Sequence, residues 1–149
     1  MRNRQAGHGR LLARLGGEAS LYSDVQLAEL GSDGKGVVIS QVVPFPGDAT
    51  VPVVARYQKA LRAAAPEAEF GFVSLEGYLV GRLVAEALSS LDGPVTRAGL
   101  LAAIKERGTF DLGGITLTYG PNKNQGMDRV FLTVIQADGS IRAVDRLAE

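Results

Sequence analysis

The stretch that decides the fold is "GKGVVISQVVPFPG", Gly34 to Gly47. It opens on a glycine-punctuated turn and runs from Val37 to Val43, with only Ser40 and Gln41 interrupting the apolar, β-branched series. Such a run predicts a strand over Gly36–Val43, apolar enough to be covered on both faces as parallel strands are. The strand then stops at Pro44-Phe45-Pro46. Proline fixes φ and lacks the N–H that a sheet ladder needs, so these two residues end the strand and stiffen the passage beyond it.

Outward from this stretch the pattern turns helical. Upstream, "SLYSDVQLAELGSDGKG" reads as a short helix with Ser23 as N-cap, Asp24 at the positive end of the dipole and Gly31 as the stop. Downstream, Thr50 is the expected cap of "VPVVARYQKALRAAA", with Pro52 in the first turn and Pro66 past the end. Its apolar positions Val53, Val54, Tyr57, Leu61 and Ala64 recur at helical spacing. Ser74 is the expected cap of a long helix whose Leu75, Tyr78, Leu79, Leu83, Ala87, Leu88 and Leu91 form a wide apolar face, with Leu83 and Leu88 expected in the core. Thr96 opens a third helix that ends at Gly108. The tail is β-rich: "GGITLTYG", then "RVFLTVIQADGSIRAVDRL" with an Asp138-Gly139 hairpin turn. One strand followed by three helices and a β-rich tail is an odd inventory, because a parallel strand needs neighbours supplied by βαβ crossovers.

Composition narrows the classes. A chain of 149 residues is long enough for one ordinary domain, and 46% hydrophobic with 21% charged residues is globular usage. The formal charge is zero, which lacks the basic footprint of a nucleic-acid binder. Arg2, Arg4, Arg10 and Arg14 precede the first acid, so the start is basic and the remainder acidic; a solvated terminus accounts for that. With no cysteine there is neither disulfide nor thiolate chemistry. The apolar runs are too short to span a bilayer. "MRNRQAGHGRLLARLGG" carries positive charge without the apolar core of an export signal, so the chain as written is expected to stay in the cytoplasm.

No catalytic or cofactor signature stands out. "GSDGKG" has two residues where a phosphate loop needs four, offers Gly36 in place of the hydroxyl, and precedes a strand instead of following one, so it reads as a turn. "GPNKNQG" reads as a solvated connection. His8 is the single histidine and supports neither a triad nor a zinc site. The carboxylates alternate with bases on helix surfaces, and Tyr57 and Tyr78 fit core-facing positions. The chain is expected to be no enzyme and to need no metal or cofactor.

Taken in order and spacing, "GKGVVISQVVPFPGDATVPVVARYQKAL", "FGFVSLEGYLVGRLVAEAL" and "FDLGGITLTYGPNKNQGMDRVFLTVIQADG" resemble the C-terminal part of the type I periplasmic solute-binding proteins of the branched-chain amino-acid class. These are the substrate receptors of ABC transporters. The resemblance covers about Ala19 to Ala143. It implies a partial α/β fold made of segments of two Rossmann-like lobes, with three main helices and a C-terminal β-hairpin. Residues 1–43 and 127–149 fall in the C-terminal lobe, 47–120 in the N-terminal lobe, and 44–46 and 121–126 in the crossovers between them. Pro44, Phe45 and Pro46 are then the hinge passage, and the segments on its two sides are expected to pack into separate clusters.

The same resemblance implies a non-enzymatic function: capture of an amino acid or similar small carboxylate for an ABC permease, in the periplasm. Ser20, Tyr22, Gln41 and Phe45 are the residues it leaves near the lobe boundary as one wall of a ligand site. Family members are more than twice as long, and most of the groups that grip the ligand's carboxylate and ammonium lie in the half without a counterpart here. Glu18 is the one acid before Ser20 and is not matched to the family's acidic ligand. The sequence therefore reads as a piece of a solute receptor. Its rivals are a ligand-sensing module of the same fold, a non-binding fragment, a flavodoxin-like enzyme lacking its glycine-rich turn, and an interaction protein that self-associates through exposed apolar helix faces.

Overall fold

A computed structural model of the chain describes residues 31–145; the helix expected around Ser23, and Ser20 and Tyr22 with it, lie outside the described residues. After a 3-10 turn at Gly31–Gly34 come β1 (Val38–Gln41), α1 (Pro52–Ala64), α2 (Phe72–Leu88), α3 (Arg97–Arg107), β2 (Thr109–Asp111), β3 (Thr116–Thr118), β4 (Phe131–Ile135) and β5 (Ile141–Val144). The strands form a three-stranded sheet ordered β1-β4-β5 and a β2-β3 hairpin.

The opening strand differs from its expected form. It is confined to Val38–Gln41 and pairs antiparallel with β4, Val38 opposite Val134 and Gln41 opposite Phe131. Its burial alternates: Ile39 is buried, whereas Val38 is 41% and Val42 57% exposed. An antiparallel strand covered on one face produces this alternation, and an apolar run by itself does not reveal which face is covered. The β4-β5 hairpin follows the expected pattern. Gly139 adopts φ 83, the Gly139 N–H donates to the Gln136 carbonyl, and the Ser140 N–H donates to the Asp138 carboxylate at 2.9 Å.

Two of the three caps are also reassigned. The N-cap of α1 is Val51 without a side-chain bond, while Thr50 donates from its N–H and hydroxyl to Asp48 Oδ1. A side-chain cap is dispensable here because Pro52 at the start of α1 has no N–H to satisfy, and the Val53 N–H donates to the Gly113 carbonyl at 2.9 Å. Helix α2 begins earlier than expected, capped at Gly71, and Ser74 lies within its first turn with its hydroxyl on the Gly71 carbonyl at 3.1 Å. Thr96 caps α3 as expected, accepting from the Gly99 N–H at 3.0 Å, and Gly108 ends that helix with φ 67.

Val53, Val54 and Tyr57 of α1 pack with Leu75, Leu79 and Ala87 of α2 and with Phe110, Leu112 and Ile115 of the β2-β3 hairpin. Leu83, on the same i, i+4 line as Leu75, Leu79 and Ala87, is half-buried and packs against the core, whereas Leu88 is half-buried because it stands off that line. The expected separation into two clusters is not observed: Ile39, Val43 and Ile135 of the first sheet belong to the same cluster as the helices. The passage is short enough for the Phe45 ring to reach Phe72 across it, with centroids 6.1 Å apart. Glu86 joins α2 to α3 through Arg107 at 3.0 Å and also pairs with Arg82 of its own helix at 2.9 Å.

Candidate ligand groove beside the Pro-Phe-Pro passage

Pro44 and Pro46 are buried and Phe45 is half-buried. The passage is tied down on both sides. The Asp48 N–H donates back to the Phe45 carbonyl at 3.0 Å, and Gln58 of α1 donates its amide N–H to the Pro46 carbonyl at 2.8 Å. Gly47 is required by close approach: a Cβ there would stand 2.7 Å from the Phe45 ring.

The connector from α1 to α2 meets this passage. A closed set of hydrogen bonds fixes its end. The Gly71 N–H donates to the Tyr57 hydroxyl at 2.9 Å, that hydroxyl lies 2.6 Å from the Ser74 hydroxyl, and Ser74 returns to the Gly71 carbonyl. Tyr57 therefore does structural work at the helix start, satisfying a buried backbone donor. Its ring meets Phe70 edge-on at 5.9 Å and Tyr78 at 5.8 Å. Arg62, on the last turn of α1, lays its guanidinium over the Phe70 ring at 4.8 Å from the centroid.

Between these pieces and the tip of the β4-β5 hairpin lies an open groove of about 670 Å³, lined by Phe45, Pro46, Arg62, Glu69, Phe70, Phe72, Gly139 and Ile141 among others. Asp138, next to Gly139, has its pKa held below the ordinary carboxylate value, first by the Ser140 hydroxyl and then by the Ser140 backbone N–H. The groove is lined by the aromatic residues Phe45, Phe70 and Phe72, one cation, Arg62, and one carboxylate, Glu69.

Of the residues expected at a ligand wall, Phe45 lines this groove. Gln41 ends β1 opposite Phe131 and is not among the groove's lining residues. Of the hinge residues, Pro46 lines it and Pro44 does not. The sequence reading missed Arg62, Phe70 and Phe72. Arg62 carries no local signal, since it is one base among several on an amphipathic helix. Only the aromatic pair framing "FGF" hinted at a platform.

The fold, helices on short sheets with a proline-bounded passage between them, is a partial type I periplasmic-binding fold. Residues 4–140 match the periplasmic binding protein family, and the chain belongs to that family. Members of the family bind small solutes without enzymatic chemistry and work with ABC transporters. Among solved structures, a "possible leucine/isoleucine/valine-binding protein" from Rhodopirellula baltica SH 1 is 40% identical with TM-score 0.75, over 81% of this chain and 32% of that one. An extracellular ligand-binding receptor from Verminephrobacter eiseniae ef01-2 is 34% identical with TM-score 0.67, over 79% of this chain and 32% of that one. A substrate-binding periplasmic protein from Ralstonia solanacearum, 24% identical with TM-score 0.71, shares the fold over 97% of this chain and 44% of its own. The chain thus spans about a third of the length of the first two. No curated protein matches it. Among the described residues, no helix is long and apolar enough to cross a membrane.

Proposed function

We propose that the chain is part of an ABC-transporter solute receptor that captures an amino acid or similar small carboxylate in the periplasm and delivers it to a permease. The observation that carries this reading is the 40% identity, over 81% of the chain, to a protein described as leucine/isoleucine/valine-binding. In this reading residues 1–43 and 127–149 contribute to one lobe and 47–120 to the other, with 44–46 and 121–126 as crossovers. Ser20, Tyr22, Gln41 and Phe45 face the solute at the lobe boundary. The buried prolines and the Gln58 bond to Pro46 support a crossover passage of fixed shape.

This chain by itself offers one wall of such a site. A zwitterion leaving water needs both its charges matched, because an unpaired buried charge costs several kcal/mol. One wall also recovers little of the roughly 4–15 kcal/mol lost with rigid-body freedom on binding. Calorimetry of the chain against a panel of amino acids is expected to give dissociation constants of about 1 mM or weaker. Micromolar binding of any of them would show that the solute site has been misplaced.

A further inference from the structure

Strand β1 lies at an edge of its sheet, with β4 as its one strand neighbour among the described residues. The Val37 carbonyl accepts from the Ile135 N–H at 3.1 Å, and the Ile39 carbonyl accepts from the Thr133 hydroxyl at 3.4 Å. Odd-numbered residues thus turn their backbone groups to β4, and the alternation of a strand turns the N–H and C=O of Val38 and Ser40 outward, as an open ladder edge. Edges are ordinarily blunted by charge. The far edge, β5, carries exposed Arg142 and is followed by exposed Asp145. Val37 to Val43 holds no charge, and Val38 and Val42 are both exposed. The run is also longer than the strand it forms, because pairing with β4 stops at Gln41 and leaves Val42 beyond the ladder.

The run itself points to the occupant. "VVISQVV", Val37 to Val43, reads nearly the same in both directions about Ser40. Two antiparallel copies related by a two-fold axis at Ser40 set Val38 opposite Val42 and Val37 opposite Val43 of the second copy, and such β-branched pairs are what stabilises a sheet. Only Ile39, opposite Gln41, meets an unlike residue. The next pair outward is Gly36 with Pro44: Gly36 has φ 81 and proline has no N–H, so the pairing ends at the same place on both strands. We propose that two copies of this chain associate edge to edge through β1. The Ser40 N–H donates to the Ser40 carbonyl of the second copy, Val38 and Val42 exchange bonds in the same way, and β1 lengthens to Val42 as the two sheets become one. Association needs no solute and stands apart from the receptor reading. The shared strip is short, so association is weak.

Sedimentation equilibrium from about 10 µM to about 1 mM, with amide hydrogen exchange at both ends of that range, tests the proposal. The mass is expected to rise from monomer to dimer and no further, and exchange at Val38, Ser40 and Val42 to slow as concentration rises. Ser40→Pro deletes the outward donor at the axis and leaves the β4 ladder its bonds, while Val42→Lys places a charge in the pairing strip. Each is expected to raise the dissociation constant roughly tenfold or more. Unchanged protection of the Thr133 amide checks that both variants keep the β1-β4 ladder. Val80→Lys, on the exposed face of α2, should leave association as it is. A chain still monomeric at about 1 mM, assembly that grows past a dimer, or a dimer whose Val38 and Ser40 amides exchange freely each overturns it. So does a dimer that Val80→Lys weakens, or one that both strand variants leave intact.

Discussion

Replacing Tyr57 by Phe removes the oxygen that accepts from the Gly71 N–H and meets the Ser74 hydroxyl. The ring is 2% exposed and remains packed on Phe70 and Tyr78, so the change opens almost no cavity. What is lost is the acceptor for the Gly71 N–H, a donor at the start of α2 where the helix itself provides none. Gly71 is buried, so water does not replace the hydroxyl freely. Leaving such a donor unsatisfied costs about 1–3 kcal/mol, and the middle of that range corresponds to a fall in melting temperature of about 4–8 °C for a chain of this size. Ser74→Ala provides the comparison. Its residue is exposed, so solvent takes over its bonds, and the cost should stay below about 1 kcal/mol. The double variant should cost less than the sum, because either change removes the shared bond. Urea denaturation followed by circular dichroism measures all three. A Tyr57→Phe midpoint equal to that of the parent, or no larger a shift than Ser74→Ala gives, would refute the satisfaction argument.

Other substitutions follow from packing and charge. Leu79→Ala should lose about 2–5 kcal/mol, whereas Leu88→Ala, at a half-buried site, should lose less than half as much; the two urea midpoints decide, and equal losses would contradict the burial pattern. Gly47→Ala places a methyl 2.7 Å from Phe45 Cε1, so it should cost about 1–3 kcal/mol and shift the Phe45 ring resonances; an unchanged spectrum would mean that the ring has room. Asp138 has a lowered folded pKa, so its contribution to the hairpin is present above the unfolded value near 3.8 and is lost as pH falls through the folded value. The Ser140 amide shift should titrate below the ordinary aspartate range, and Asp138→Asn should abolish that titration.

The sequence by itself determined the elements whose signals are local. Thr96 and Gly108 bound α3 because a hydroxyl cap and a positive-φ stop act within one turn. Asp138-Gly139 fixed the hairpin because only that backbone geometry closes it. The family was legible in the same way, from several motifs in series. Pro44 and Pro46 did not set the end of β1, which stops at Gln41, where its pairing with Phe131 ends. Tertiary structure decided what depends on partners distant in the chain. Val51 serves as a bare N-cap because the Gly113 carbonyl receives the Val53 N–H. Ser74 gave up the capping role to Gly71 because Tyr57, fourteen positions earlier, supplies the bond. β1 became antiparallel and half-covered because β4, almost a hundred residues later, is its neighbour. Arg62 came to line a groove only when the turn between α1 and α2 carried Phe70 beneath it and brought Phe45 across from the passage. Propensities and caps are read within a few residues, whereas the covered face of a strand and the convergence of charge on a groove are set by chain segments whose proximity no local pattern encodes.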